Sequence, residues 1–133
     1  PNCTNWCLAE ELFHLIGSTV MWLDPGIDTG DIVASELTPV SFQETLGALH
    51  VKVMDHAHDM YVRSAHRVVS GGSLPRVSQS LLGEGRTYLT RDWNLATIRR
   101  AVRNFKELYG PGVLHNTAHG RARDSVRTLA LER

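Results

Sequence analysis

Apolar positions recur along this chain in more than one rhythm, and each rhythm predicts a different element. Residues 4–14 place Trp6, Leu8, Leu12 and Phe13 around Glu10 and Glu11, which predicts a short helix. Gly17 interrupts that spacing. Thr19-Val20-Met21-Trp22-Leu23 is then a contiguous apolar run, β-branched at its start, as in a strand buried on both faces of a parallel sheet. Met21 and Trp22 are expected in the core. Asp24-Pro25-Gly26 predicts a turn, Pro fixing φ and Gly supplying unusual dihedrals, and the loop continues through Ile27 to Gly30. Asp31 to Leu37 alternates from Ile32 onward and predicts a second strand. The loop between the two runs is too short for a crossover, so the strands should pair antiparallel.

Further along, Ser41-Phe42-Gln43-Glu44 has the spacing of a capping box. It opens a helix predicted over 43–70, with an apolar stripe of Leu46, Leu49, Val53, Ala57, Met60, Tyr61, Ala65 and Val68. Gly71-Gly72 should end it. Residues 73–85 read as loop with a weak strand near 76–78, and 86–89 as a short strand. Asp92 or Asn94 can cap a second helix with core positions Ile98, Val102, Phe105 and Tyr109, stopped by Gly110-Pro111-Gly112. Residues 111–133 are polar and Arg-rich, expected to be a disordered tail or a marginal helix beside a folded unit over 1–110. The expected class is α/β. A strand apolar on both faces needs sheet neighbours that this inventory hardly supplies, so further strands are expected N-terminal to Pro1.

Composition changes this picture little. Of 133 residues, 42% are hydrophobic and 21% charged, as in an ordinary soluble globular domain. No apolar run approaches the ~20 residues of a membrane helix. The chain opens at Pro1 without an initiator Met or a basic-then-apolar signal segment, so the expectation is a fragment of a longer, cytoplasmic protein. Cys3 and Cys7, at i and i+4, are expected to be two reduced thiols rather than a disulfide or a half-zinc site with His14. Charge is unevenly spread. Residues 1–85 hold four basic against ten acidic side chains, and residues 86–133 hold ten basic against four acidic. The basic helix bearing Arg99, Arg100, Arg103 and Lys106 is either a solvated face or a face for phosphates. No aromatic interleaving points to base stacking.

The segment with the most chemistry runs from Gly17 to Ile32. An apolar strand ends in a Pro-Gly loop that presents two carboxylates, Asp28 and Asp31. Loops at strand ends are where α/β folds place ligands. Taken alone, the pair could be a metal loop or a tight turn that caps itself. Asp31 is expected to brace the loop, and Thr29 and Gly30 to shape the turn. The Asp55-His56-Ala57-His58-Asp59 run looks metal-like, but residues two apart on a helix face different sides, so a solvated face is expected. His50, His66, the His115/His119 pair and the Glu11/His14 pair are read as structural or solvated too.

The string Gly26-Ile27-Asp28-Thr29-Gly30-Asp31-Ile32, after a Gly-x-Thr-Val strand, resembles the signature of the folate-dependent formyltransferase family. Asn5-Trp6 before the strand and Glu44-Thr45-Leu46 opening the long helix extend the resemblance to about residues 4–70. It implies a partial Rossmann-like formyltransferase domain. It implies that Asp28 matches the family's catalytic Asp, working with an Asn and a His from an Asn-x-His stretch that this chain does not contain. It implies a pterin pocket lined by Leu23, Asp24, Pro25 and Gly26, 10-formyltetrahydrofolate as formyl donor, and no metal. As the amine attacks the formyl carbon, an oxyanion develops. Asn and protonated His would stabilise it, and a carboxylate would keep the imidazolium oriented. The expected acceptor is a primary amine on an amino sugar or another small molecule, because 86–110 is too short for the β-barrel of tRNA-directed members. Formylation of methionyl-tRNA stays an alternative on account of the basic half. Hydrolysis of the donor, a catalytically empty folate- or protein-binding module, and a homodimer also stay open. The chain by itself is expected to be inactive, since two of the three catalytic groups are absent.

Overall fold

A computed structural model describes residues 3–40, 45–82 and 85–109. The expected capping box at Ser41–Glu44, the stop at Gly110–Gly112 and the tail over 111–133, with His115 and His119, lie outside the described residues.

Helix α1 spans Cys3–Ala9, shorter than the predicted 4–14. It ends because Glu11 takes a left-handed φ of 58°. The Leu12 amide then donates to the Cys7 carbonyl and the Glu11 amide to Leu8, the two bonds of a Schellman cap made without glycine. A 3₁₀ turn at Phe13–Leu15 leads into strand β1, Gly17–Met21, which pairs antiparallel with β2, Ile32–Leu37, as the short loop predicts. Val20 faces Ala34 and Met21 faces Ile32, so Val33 is an extra residue and β2 bulges there. The described sheet has two strands. β1 is accordingly half-buried with Thr19 exposed, not buried on both faces, and Met21 and Trp22 are half-buried.

Helix α2 spans Leu46–Val69. Its observed cap is Thr45, whose hydroxyl accepts from the Ala48 amide at 3.1 Å. Its end is as predicted: Gly71 sits at φ 80°, and the Gly72 amide reaches back to the Arg67 carbonyl. The predicted stripe is only partly right. Leu49, Val53, Met60 and Ser64 are buried, but Tyr61 and Val68 are exposed, together with Val51, Met54, Val62 and Val69. α2 carries apolar residues on two faces, and β1 and β2 cover one of them.

His56 lies on the covered face, which corrects the expectation of a solvated position. Its Nδ1 is 3.1 Å from the Thr38 hydroxyl and its Nε2 is 3.2 Å from Glu36. Arg63 adds two hydrogen bonds to the same Glu36 carboxylate and one to Asp59. The spacing Val53, His56, Met60, Arg63 is itself helical, so the sequence held the signal.

Residues 86–89 form no strand. Tyr88 instead stacks on Trp6 at 4.6 Å, and Trp93 meets the same indole edge-on at 5.0 Å. Helix α3, Leu95–Tyr109, is capped by Asn94 rather than Asp92, the side-chain oxygen accepting from the Ala96 and Thr97 amides. Its packed face is Thr97, Ala101, Asn104 and Phe105, whereas Ile98 is exposed and Val102 half-buried. The stripe is rotated because α3 meets α1 through polar groups. Arg100 donates to the Ala9 carbonyl and Glu10, and buried Asn104 donates to the carbonyls of Leu8 and Ala9.

Two apolar clusters result among the described residues. The larger joins Leu8, Ala9, Phe13, Ile16, Leu49, Val53, Ala101 and Phe105. The smaller, Val33, Ala34 and Met60 with Val20, Trp22 and Leu74 against it, sits beneath the β1–β2 loop.

Candidate functional site

The β1–β2 loop is built from its base upward. The Trp22 amide donates to the Asp31 carbonyl at 2.9 Å and closes the loop. Gly30 sits against that closure so tightly that an added Cβ would lie 1.7 Å from the Trp22 carbonyl oxygen. No side chain fits there, which explains glycine in the Asp-Thr-Gly-Asp string. The bulge at Val33 is immediately next to this base, a common place for a strand to re-aim its neighbours.

Asp28 stands in this loop with a left-handed φ of 53°. That conformation costs a non-glycine residue roughly 1–2 kcal/mol, and Asp is among the residues that visit it. Leu23, Asp24, Pro25, Gly26, Ile27, Asp28 and Thr29 are all exposed. Leu23 and Ile27 are 102% and 93% exposed, as far into solvent as an unfolded chain would leave them. Two large apolar side chains stand in solvent N-terminal to Asp28 in the same loop. The expected pocket residues Leu23, Asp24, Pro25 and Gly26 are thus consecutive on one face-forward turn, with Asp28 two residues on.

A strap from further along the chain, residues 74–79, runs under the loop. Val77 exchanges both backbone hydrogen bonds with Ile32, at 2.8 and 3.0 Å. This is the weak strand predicted at 76–78. The Trp22 indole donates to the Pro75 carbonyl at 3.0 Å, and the Arg76 guanidinium stacks over the Trp22 ring at 4.3 Å while reaching Asp31 at 3.5 Å. Asp31 therefore braces the loop, as expected. Gln79 completes the strap. Its side-chain nitrogen donates to the carbonyls of Asp28 at 2.8 Å and Gly30 at 2.7 Å. Sequence reasoning missed Trp22, Arg76 and Gln79 as loop partners. No local pattern joins residues some fifty positions apart; the weak strand was the only pointer.

A separate open depression of about 480 Å³ is lined by Ala9, Glu10, Glu11, Arg86 and Arg100. No residue of the 23–28 turn lines it. Glu10 holds both arginines, Arg100 at 2.7 Å and Arg86 at 3.3 Å, so its charges are already paired. Cys3 is exposed and Cys7 half-buried, both as free thiols. Burial pushes the Cys7 thiol up to about 11, with the neighbouring Cys3 adding to the shift, so Cys7 is no nucleophile near neutrality. Among the described residues, no helix is long and apolar enough to cross a membrane.

Comparison with known proteins bears directly on this loop. A family model described as formyl transferase matches residues 9–65, which contain β1, the Asp28 loop, β2 and most of α2. A methionyl-tRNA formyltransferase of Ralstonia nicotianae is 34% identical over 104 residues, covering 71% of this chain and 31% of that protein. One from Syntrophus aciditrophicus is 36% identical over 75 residues, covering 56% and 23%. One from Symbiobacterium thermophilum is 29% identical over 113 residues, covering 79% and 34%. The chain spans about a third of the length of the Ralstonia and Symbiobacterium proteins and less of the Syntrophus one.

Proposed function

Because this chain belongs to the formyl transferase family, as part of its domain, we propose that it supplies one wall of a site that moves a formyl group from 10-formyltetrahydrofolate to a primary amine. The observation that carries the reading is the Asp28 loop: a carboxylate held at positive φ on a closed, braced turn, inside the segment that the family model matches. The donor fits the residues present. Leu23 and Ile27 offer exposed apolar area that a flat pterin ring would cover, and the backbone of residues 23–26 offers amide groups to read its polar edge. The donor, when bound, supplies an activated formyl carbon.

This chain's own contribution is binding and orientation. Asp28 is exposed, so its carboxylate is open to the imidazole it is proposed to hold. A carboxylate beside an imidazole favours its protonated form and fixes its direction, so that an N–H is presented where negative charge develops. The turn 23–26 excludes water from one side once the donor covers it.

On the acceptor, the relatives change the balance. They are methionyl-tRNA formyltransferases by name, which favours the amine of an aminoacylated tRNA over the amino sugar preferred from the sequence. The excess of basic residues over 86–133 suits a polyanionic partner.

The test uses the full-length protein. Asp28→Asn keeps the size and the turn but removes the charge, and formyl transfer should fall at least ~100-fold with the fold intact. A variant that turns over at the wild-type rate removes Asp28 from the chemistry. Product analysis with methionyl-tRNA, an amino sugar and water as competing acceptors separates transfer to tRNA, transfer to a small amine, and hydrolysis to formate. An inert but donor-binding protein is read as the binding-module alternative.

A further inference from the structure

We propose that Gln79 is a positioning residue for the Asp28 loop, and that the strap 74–79 sets the direction of the Asp28 carboxylate from beneath. The inference rests on the assignment of Asp28 above. The geometry is specific. One side-chain nitrogen lies 2.8 Å from the Asp28 carbonyl oxygen and 2.7 Å from that of Gly30. Two carbonyls can be met only by the amide NH₂ end of glutamine, which has two hydrogens to give, so the orientation of the amide follows from its partners. The two acceptors flank Thr29, and the first of them belongs to Asp28, the residue with the left-handed backbone.

By holding the carbonyls of Asp28 and Gly30, Gln79 fixes the peptide planes that follow those two residues, and with them ψ of Asp28 and φ of Thr29. Releasing the Asp28 carbonyl frees the backbone on the C-terminal side of the Asp28 Cα, and the carboxylate loses the fixed frame from which it projects. Gln79 therefore holds the backbone of the residue proposed to face the reacting centre. The strap can do this because it is tied down independently of Gln79: Val77 to Ile32, Pro75 to the Trp22 indole, Arg76 to the Trp22 ring and Asp31, and Leu74 against Met60's cluster. Gln79 itself adds no apolar packing, being half-exposed in a short 3₁₀ turn. Its loss should cost the loop its direction while leaving the fold in place.

The experiment compares Gln79→Glu and Gln79→Leu with Asp28→Asn and with the Asp28→Asn/Gln79→Glu double variant, in the full-length protein. Glutamate has the same shape but turns an acceptor toward two carbonyls. We expect kcat for formyl transfer to fall 10- to 100-fold in both Gln79 variants with KM for the donor within about threefold, as for a displaced catalytic group. We expect no further fall when Gln79→Glu is added to Asp28→Asn, because a residue that acts through Asp28 has nothing left to act on. Hydrogen exchange over residues 26–31 should rise in the Gln79 variants, with α2 unchanged. Normal kcat in the Gln79 variants beside an inactive Asp28→Asn overturns the positioning role and leaves the Asp28 reading standing. Multiplicative losses in the double variant, or unchanged exchange over 26–31, also overturn it. Full activity in Asp28→Asn removes the Asp28 reading and this inference together.

Discussion

Replacing Gly30 by alanine puts the loop architecture to its hardest test. The new Cβ would sit 1.7 Å from the Trp22 carbonyl oxygen and 2.7 Å from its carbonyl carbon. A carbon beside a carbonyl oxygen settles at about 3.3–3.6 Å, so the two arms of the loop must part by roughly 1.5 Å or more. Both obstacles are backbone, and no rotamer change relieves them. Parting the arms breaks the Trp22 amide to Asp31 carbonyl bond and pulls Gly30 away from Gln79. Each such bond contributes about 1 kcal/mol net. The exposed Arg76–Asp31 pair adds under about 1 kcal/mol. Gly30→Ala should therefore lose about 2–3 kcal/mol in urea unfolding, together with most formyl transfer, since the arms that carry Asp28 no longer close. Gly47→Ala is the control. Gly47 lies in the first turn of α2 with nothing within 4 Å of an added Cβ, so alanine there should stabilise by about 0.5–1 kcal/mol. Gly30→Ala within 0.5 kcal/mol of wild type, at an unchanged transfer rate, would refute the closed-loop geometry.

The remaining predictions concern charge. Hydrogen bonds from the Arg63 guanidinium, with a smaller part from His56, hold the Glu36 carboxyl below the ordinary carboxylate range. Its folded value is depressed, so its contribution is complete above the ordinary value of about 4.3 and is lost as pH falls through the folded value. Glu36→Gln should lower stability by about 2 kcal/mol at pH 7, and the gap to wild type should close as pH drops below about 4. A gap independent of pH in thermal melts would sink that account. With its thiol pushed up to about 11, Cys7 should resist alkylation at pH 8 while exposed Cys3 is modified. Equal labelling by peptide mass spectrometry would contradict the burial of Cys7.

What could be read in the sequence was what local chemistry decides. The antiparallel pairing follows from a loop too short to cross over. The end of α2 follows from Gly71-Gly72, and the start of α3 was narrowed to Asp92 or Asn94, of which the structure uses Asn94. Errors arose where the deciding partner is distant. α2 carries apolar residues beyond its buried Leu49/Val53/Met60 face, and periodicity alone added the exposed Tyr61 and Val68 to that stripe. The buried face is the one whose Arg63 and His56 meet Glu36 of β2, partners twenty or more positions away. In α3 the choice went to a face with Asn104 and Thr97 in its middle, which a hydrophobic count places outside. Asn104 serves the Leu8 and Ala9 carbonyls at the C-terminal end of α1, a need that appears only once the two helices meet, while Thr97 bonds the Asp92 carbonyl and Asn94 at the start of its own helix.

The loop shows the same division within a single site. Gly30 was legible as a turn-shaping residue because its requirement is local, a position with no room for Cβ, whereas Asp28 was singled out by the family resemblance and not by the turn. The brace beneath them was not legible. It depends on where a 24-residue helix delivers the chain, about 36 Å from where it started. α2 ends in a Schellman turn that reverses direction, Leu74 docks in the smaller cluster, and Val77 then reaches Ile32 from the side that β1 leaves free. Only after those three events does residue 79 lie under residue 28. The loop thus lies inside the segment that the family model matches, while the strap that braces it, residues 74–79, lies outside that segment. Substitutions in 74–79 should consequently act on rate through the loop although they touch no reactant, and a loop transplanted without its strap should keep the sequence of the site but lose its geometry.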